Sequence, residues 1–311
     1  VADFITLAEL SDWSHTQSRF DPPARLAVIG DPIAHSRSPQ MHNPALAAAG
    51  IPASYIRVQV PAGQVKEAFA KFADAGFLGV NITIPHKFEA LDAVDHLDPA
   101  ARRLGAVNTL ALRDGQLHGY NTDGPGFLRS VKEAFQTDLR DLRVLILGAG
   151  GGAGRAVAVQ CALEGCWRLV LANRTSEKAD LLARELRTQM PVLSSVKDIT
   201  TVPWDDQHLH AELENIDLIV NATSLGMKPD DAGLIPAGAF RPHHLVFDMV
   251  YRANGTPTPL IADAMRAGAK TTDGLSLLLH QGALSFEHWF DRPAPIEVMR
   301  QGLLDSLKPI G

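Results

Sequence analysis

Only two cysteines occur in 311 residues, Cys161 and Cys166. Their x4 spacing, in a stretch that reads as a helix, suits neither a disulfide framework nor a zinc site. Buried thiols in a reducing compartment are expected instead. There is no excess of positive charge: 29 Lys and Arg against 35 Asp and Glu leave a net charge of −6, which argues against general nucleic-acid binding. No apolar run approaches the ~18 residues of a membrane span. The opening "VADFITLAELSDWSHTQSRF" lacks the basic start and apolar block of a signal peptide, so a cytoplasmic location is expected. The twelve histidines are scattered, and "HLH" at 208–210 and His243-His244 lack a ligand constellation, so no metal is expected. Long repeats and low-complexity tracts are also missing. What remains is 46% apolar and 21% charged residues, a soluble globular balance, in a chain about two domains long.

Residues 1–24 read as an extension ahead of the first core strand, "RLAVIG" at 25–30. The loop "DPIAHSRS" follows, with Ser38 as a natural N-cap, Pro39 at N1 and a helix to Gly50. "ASYIRVQV" alternates as a strand, and residues 62–75 read as a helix closed by Gly76. In "LGVNITIPHK", Val80, Ile82 and Ile84 alternate with Asn81, Thr83 and Pro85, the pattern of a half-buried strand stopped by proline. Short helices follow around 88–94 and from Pro99, and Asp114-Gly115 predicts a hairpin turn. The strand–helix alternation implies a mainly parallel sheet covered by helices.

A second unit begins near residue 123 with a linking helix at 126–136. "RVLILG" at 143–148 is a continuous apolar strand of the kind buried on both faces. "GAGGGA", 148–153, then satisfies G-x-G-x-x-A and opens an Ala/Val-rich helix. Its first glycine permits the tight turn, its second lets backbone approach a pyrophosphate, and the small third residue, Ala153, permits close helix–strand packing. Helix N–H groups then face the phosphates. The next strand ends at Asn173-Arg174-Thr175, where an NAD enzyme carries Asp or Glu for the ribose 2′-OH. Arg174 is either a solvated surface arginine or a fork onto a 2′-phosphate; at this offset NADP is expected. Strands at 216–224 and 244–251 continue a Rossmann-type run. Helices at about 275–290 and 295–307 have no strands to pair with, so they are expected to pack onto the first unit or across the hinge.

A reductase needs a second site that holds a carbonyl and supplies a proton. Lys87, beyond a strand end, is a candidate proton donor, and Asp123, at the junction of the units, its candidate partner. Their proximity is inferred only from both lying beyond strand ends. Ser36 and Ser38 share side-chain parity in an extended loop and could grip a carboxylate, or be one N-cap and one solvated hydroxyl.

Taken together, "GDPIAHSRSPQMHN", "GVNITIPHK", "GAVNTL", "NTDG", "LGAGGGAGRA", "NRT", "NATSLGM", "DMVY" with "TP" after it, and "DGLSLLLHQGALSFEHW" closely resemble the NADP-dependent shikimate dehydrogenase family, in order from about 25 to 290. The resemblance implies two α/β domains flanking a cleft: a mainly parallel substrate-binding catalytic domain (25–122 plus 275–311) and a Rossmann NADP-binding domain (123–274), with 1–24 as an extension. It implies reversible reduction of 3-dehydroshikimate to shikimate, in aromatic amino-acid biosynthesis. Lys87 would be the acid/base and Asp123 its paired carboxylate. Ser36 and Ser38 would bind the substrate carboxylate, and Thr83, Asn108, Tyr251 and Gln281 its carboxylate or hydroxyls. Gly148, Ala149, Gly150, Gly151 and Gly152 would cradle the pyrophosphate. Asn173, Arg174, Thr175 and Lys178 would surround the 2′-phosphate, and Met249 and Gly274 would line the nicotinamide. The expected partner is the small-molecule substrate, with no nucleic acid or membrane, in a monomer or homodimer.

The chain departs from the family in a glycine loop one residue longer, in Ser276 and Leu277 where Gly and Met are common, and in Thr258-Pro259 after the first "TP". Rival readings are a dehydrogenase of quinate or a shikimate analogue, and a catalytically silent sensor like the fungal quinate-pathway repressors. Lys87 and Asp123 together argue against the sensor.

Overall fold

A computed structural model of the chain describes residues 4–189, 196–228, 230–231, 233–252 and 254–307. One unit runs to Thr122 and resumes at Leu279–Ser306; the other is Asp123–Leu278. In the first, chain order gives β1 (Ile5–Thr6), α1 (Leu7–Ser11), α2 (Trp13–Thr16), β2 (Ala24–Gly30), α3 (Ser38–Ala48), β3 (Ser54–Gln59), α4 (Val65–Asp74), β4 (Gly79–Ile82), β5 (His96–Leu97), α5 (Pro99–Leu104), β6 (Thr109–Arg113) and β7 (Gln116–Tyr120). The seven strands form one sheet in the order β1-β3-β2-β4-β6-β7-β5. β1, β3, β2 and β4 are parallel, β6 is antiparallel to both its neighbours, and β5 runs parallel to β7. The predicted hairpin joins β6 to β7, with Asp114 and Gly115 both at positive φ.

Two local readings change. β4 lies between β2 and β6 and has no solvent face, so Val80, Asn81 and Ile82 are all buried. It ends at Ile82, and Ile84, which alternation assigns to the buried face, is 73% exposed. Ser38 is the first helical residue of α3, not its N-cap; Arg37 holds that position without a side-chain cap. The segment ahead of β2 belongs to this unit. Ile5 pairs with Val58, and Ile5, Leu7 and Leu10 share a core with Phe69 and Phe72. Thr6 and Glu9 form a capping box that starts α1.

The second unit contains α6 (Asp123–Phe135), β8 (Arg143–Leu147), α7 (Gly152–Leu163), β9 (Arg168–Ala172), α8 (Ser176–Gln189), β10 (Asp198–Thr201), α9 (Asp206–Leu213), β11 (Leu218–Asn221), β12 (Leu245–Asp248), α10 (Pro259–Arg266) and β13 (Lys270–Thr272). Its sheet is wholly parallel, ordered β10-β9-β8-β11-β12-β13, the doubly wound order whose direction reverses between β8 and β11. Ligands bind such sheets beyond the strand ends at that reversal. Cys161 is buried in α7; Cys166 follows its end, and burial pushes its thiol up to about 12. Burial raises both thiols, which disfavours the reactive thiolate. α11 (Gly274–Phe290) carries the unit boundary, and α12 (Ile296–Asp305) packs along α3, with Arg37 donating to the Ser306 hydroxyl at 2.9 Å. Among the described residues no helix is long and apolar enough to cross a membrane.

His42 of α3 is fully buried with neither ring nitrogen hydrogen-bonded. It stacks on Tyr55 at 4.5 Å between centroids and meets Trp289 at 5.2 Å. Burial drops its pKa to about 3. An unfolded histidine titrates near 6.5, so between about 6.5 and 3 the unfolded chain binds a proton that the folded one refuses. The stability this group contributes is complete above that window and lost as pH falls through it, on the order of 5 kcal/mol in total. We expect His42→Phe to flatten the acid dependence of stability by about one proton. Calorimetric midpoints from pH 7 to 4 check this; equal slopes for parent and variant would refute it.

Candidate active site

Parallel β2 and β4 end at the same edge of the first sheet, and the β6–β7 hairpin starts and finishes there. The segments that leave this edge carry Ser36 and Ser38, the latter opening α3, after β2, Thr83 and Lys87 after β4, Asn108 before β6, and Asn121-Thr122 after β7. The first two loops touch: a Cβ on Gly30 would lie 2.7 Å from Thr83 Cγ2, so only glycine lets them approach. Backbone bonds complete the join, from Thr83 N to Ile29 O (3.0 Å) and Asp31 N to Ile84 O (3.2 Å). Lys87 is half-buried, and its carbonyl accepts from Val107 N at 2.9 Å.

The side chains at this edge are held in place by hydrogen bonds to one another. Ser36 Oγ reaches Ser38 Oγ at 3.3 Å. Tyr55 donates to Asn81 Oδ1 at 2.7 Å; Asn81 Nδ2 donates to Ser285 Oγ (2.9 Å) and Thr109 Oγ1 (3.1 Å). Asn108 joins this network, with Oδ1 accepting from Thr109 Oγ1 (3.0 Å) and Thr122 N (2.8 Å) and Nδ2 donating to Thr122 Oγ1 (2.9 Å). Gln281 Oε1 lies 3.5 Å from Asn108 Nδ2. Behind the serines, the buried Arg57 donates from Nε to Ser36 O at 2.7 Å and from Nη2 to Gln40 at 3.0 Å. Its permanent charge biases the serine pair toward an anion. Sequence reading assigned no role to Tyr55, Arg57, Asn81, Thr122 or Ser285. The available signal was a polar residue inside an apolar strand, as with Asn81 between Val80 and Ile82.

Asp123 and Tyr251 belong to the second unit, Asp123 opening α6 and Tyr251 following β12, both half-buried. At the sheet reversal, Gly148 N and Ala149 N bond Ala172 O (2.8 and 3.2 Å), Gly150 N bonds Asn173 Oδ1 (3.2 Å) and Gly151 N bonds Gly148 O (3.0 Å). These amides stabilise the turn itself. An anion here would be met by the first-turn amides of α7 from Gly152 on, which helix geometry leaves without intrahelical acceptors. The close helix–strand contact expected at Ala153 falls instead at Gly154, where a Cβ would lie 2.2 Å from Gly148 O. The extra glycine shifts that contact by one residue.

Asn173 Nδ2 donates to Thr175 O at 2.9 Å, so its amide ties the turn together at both ends. Arg174, Thr175 and Lys178 are exposed, and a Cβ on Gly150 would lie 2.6 Å from Lys178 Cβ, which sets that cation beside the glycine loop. Arg155 is paired bidentately with Glu185 (2.7 and 2.5 Å). Beyond β12, Met249 N bonds Asn221 O at 2.9 Å and Gly274 N bonds Val250 O at 3.2 Å, bringing Met249 and Gly274 together. Asp248 beneath them accepts from Asn221, Val250 N and Thr258, and burial pushes its carboxyl up. Thr258 caps α10 and Pro259 opens it, so the second "TP" is the helix start.

These features can be set against known proteins. Residues 28–110 match the shikimate dehydrogenase substrate binding domain, 129–226 the shikimate/quinate 5-dehydrogenase domain and 274–304 the shikimate 5′-dehydrogenase C-terminal domain. A shikimate dehydrogenase (NADP(+)) of Symbiobacterium thermophilum is 43% identical over 300 residues, covering 92% of this chain and 96% of the relative. The crystal structure of shikimate 5-dehydrogenase from Thermus thermophilus with NADP(H) and shikimate is 35% identical with a TM-score of 0.79, covering 91% and 100%. Quinate dehydrogenase from Corynebacterium glutamicum, solved with NAD, is 28% identical with a TM-score of 0.78, covering 90% and 98%. With this identity along nearly its whole length, the chain belongs to the shikimate dehydrogenase family.

Proposed function

We infer that the chain is an NADP-dependent shikimate dehydrogenase that reversibly reduces 3-dehydroshikimate to shikimate. The observation that carries this reading is the single sheet edge at which the serine pair, Thr83, Lys87, Asn108 and Gln281 are collected. Two hydroxyls backed by the Arg57 guanidinium suit a carboxylate. Thr83, Asn108, Gln281 and Tyr251 orient the carboxylate or ring hydroxyls. The glycine loop and first turn of α7 would hold the pyrophosphate, Arg174, Thr175 and Lys178 the 2′-phosphate, and Met249 and Gly274 the nicotinamide. When bound, the dinucleotide supplies the hydride in one direction and takes it in the other. Lys87 Nζ gives the proton that the carbonyl oxygen gains on reduction and recovers it on oxidation. Asp123 would be the carboxylate paired with that lysine. The enzyme would act in the cytoplasm as a monomer or homodimer.

Initial rates of cofactor reduction test the reading, with shikimate and quinate each paired with NADP and NAD. Turnover confined to shikimate with NADP is the expected result. Preference for quinate, which presents the same carboxylate, would move the chain to that sister activity. Ligand binding by calorimetry without turnover would make it a sensor.

A further inference from the structure

The loop that carries Lys87 has little apolar anchorage of its own, since Ile84 is 73% and Phe88 51% exposed. Between them, His86 is fully buried, and its Nε2 lies 2.7 Å from Val60 O. A carbonyl can only accept, so Nε2 carries a ring proton and donates it to Val60 O. Nδ1 has no hydrogen-bond partner, and the Glu89 carboxylate is 4.0 Å away. Glu89 itself accepts from Gly63 N (3.0 Å) and Val65 N (2.9 Å). The loop is thus tied through two side chains to the segment between β3 and α4. Val60 N in turn bonds Gly30 O, where the serine loop begins (3.3 Å).

We propose that His86 is a positioning residue for proton transfer, its Nε2–H bond to Val60 O fixing the backbone from which the Lys87 side chain projects. The proposal rests on Lys87 being the acid/base. A general acid must sit within hydrogen-bond reach of its oxygen, so freedom in this backbone lowers turnover more than binding. His86→Phe keeps an aromatic ring, somewhat larger, and removes the donor. His86→Asn keeps a donor too short to reach Val60 O, without overpacking. His86→Gln places an amide N–H at about the reach of Nε2.

Steady-state kinetics well below each variant's thermal midpoint should show kcat reduced about tenfold by Phe and by Asn, with KM for shikimate and NADP within about twofold, and most of kcat recovered by Gln. Parental kcat in the Phe and Asn variants, or equal impairment in all three, would overturn the proposal. A double-mutant cycle separates it from the reading it rests on. In a Lys87→Ala background, His86→Phe should change the residual rate by no more than about twofold. Full multiplication of the two losses would mean His86 acts by another route and would also overturn it. Near-normal kcat in Lys87→Ala alone would instead remove the lysine assignment.

Discussion

Replacing Lys87 by alanine should lower kcat about a thousandfold while KM for shikimate changes only a few-fold. General acid–base catalysis by a positioned side chain contributes about 10²–10⁴-fold, and the loss falls on kcat when the interaction exists only in the transition state. The structure gives reasons for this split. Lys87 is half-buried on a loop whose backbone is tied to Ile29 and Val107 and whose His86 side chain is tied to Val60. Removing Lys87 leaves intact the serine pair and the network through Tyr55, Asn81, Thr109 and Asn108, where the substrate carboxylate and hydroxyls would bind. Steady-state rates on purified Lys87→Ala decide the matter, and a near-normal kcat would sink the assignment. A KM that rises in step with a falling kcat would make Lys87 a binding residue.

Arg174→Asp should raise KM for NADPH by about thirtyfold or more and leave KM for NADH within about threefold. The substitution removes a forked cation and places a like charge where the 2′-phosphate would sit. NADH lacks that phosphate and offers nothing to repel. Exposure of Arg174 and Lys178 moderates the effect, because surface charges are screened over ~8 Å at physiological ionic strength. Lys178, on the first turn of α8, retains part of the preference. Preference for NADPH in the parent should therefore weaken with added salt. Equal effects of the substitution on both cofactors would argue against a phosphate site at this turn.

Elements whose cause is local were legible in the chain. β8 is an unbroken apolar run followed by glycine, and it is buried on both faces in the second sheet. The Asp114-Gly115 turn follows from two residues that tolerate positive φ. The edge strands β10 and β13 were not legible. They are four and three residues long, "DITT" and "KTT", and carry little apolar pattern because they pair on one side only. β1, two residues long, was lost in the same way.

Among site residues, those beyond strand ends could be nominated one at a time from residue type and position, and the resemblance supplied their roles. Which of them are joined was decided by long-range pairing. Tyr55 finds Asn81 across the sheet because β3 and β4 flank β2, and Asn81 finds Ser285, 204 residues on, because α11 lies over the same edge. The exact glycine of the helix–strand contact, Gly154 and not Ala153, depends on how far the lengthened turn winds before α7 begins. By itself the sequence determined fold class and the chemistry available, since hydrophobic periodicity, glycine and proline act through chain neighbours. Only the tertiary structure decided which hydroxyl faces which amide, because a buried polar group is held by whatever partner the packing brings within about 3 Å.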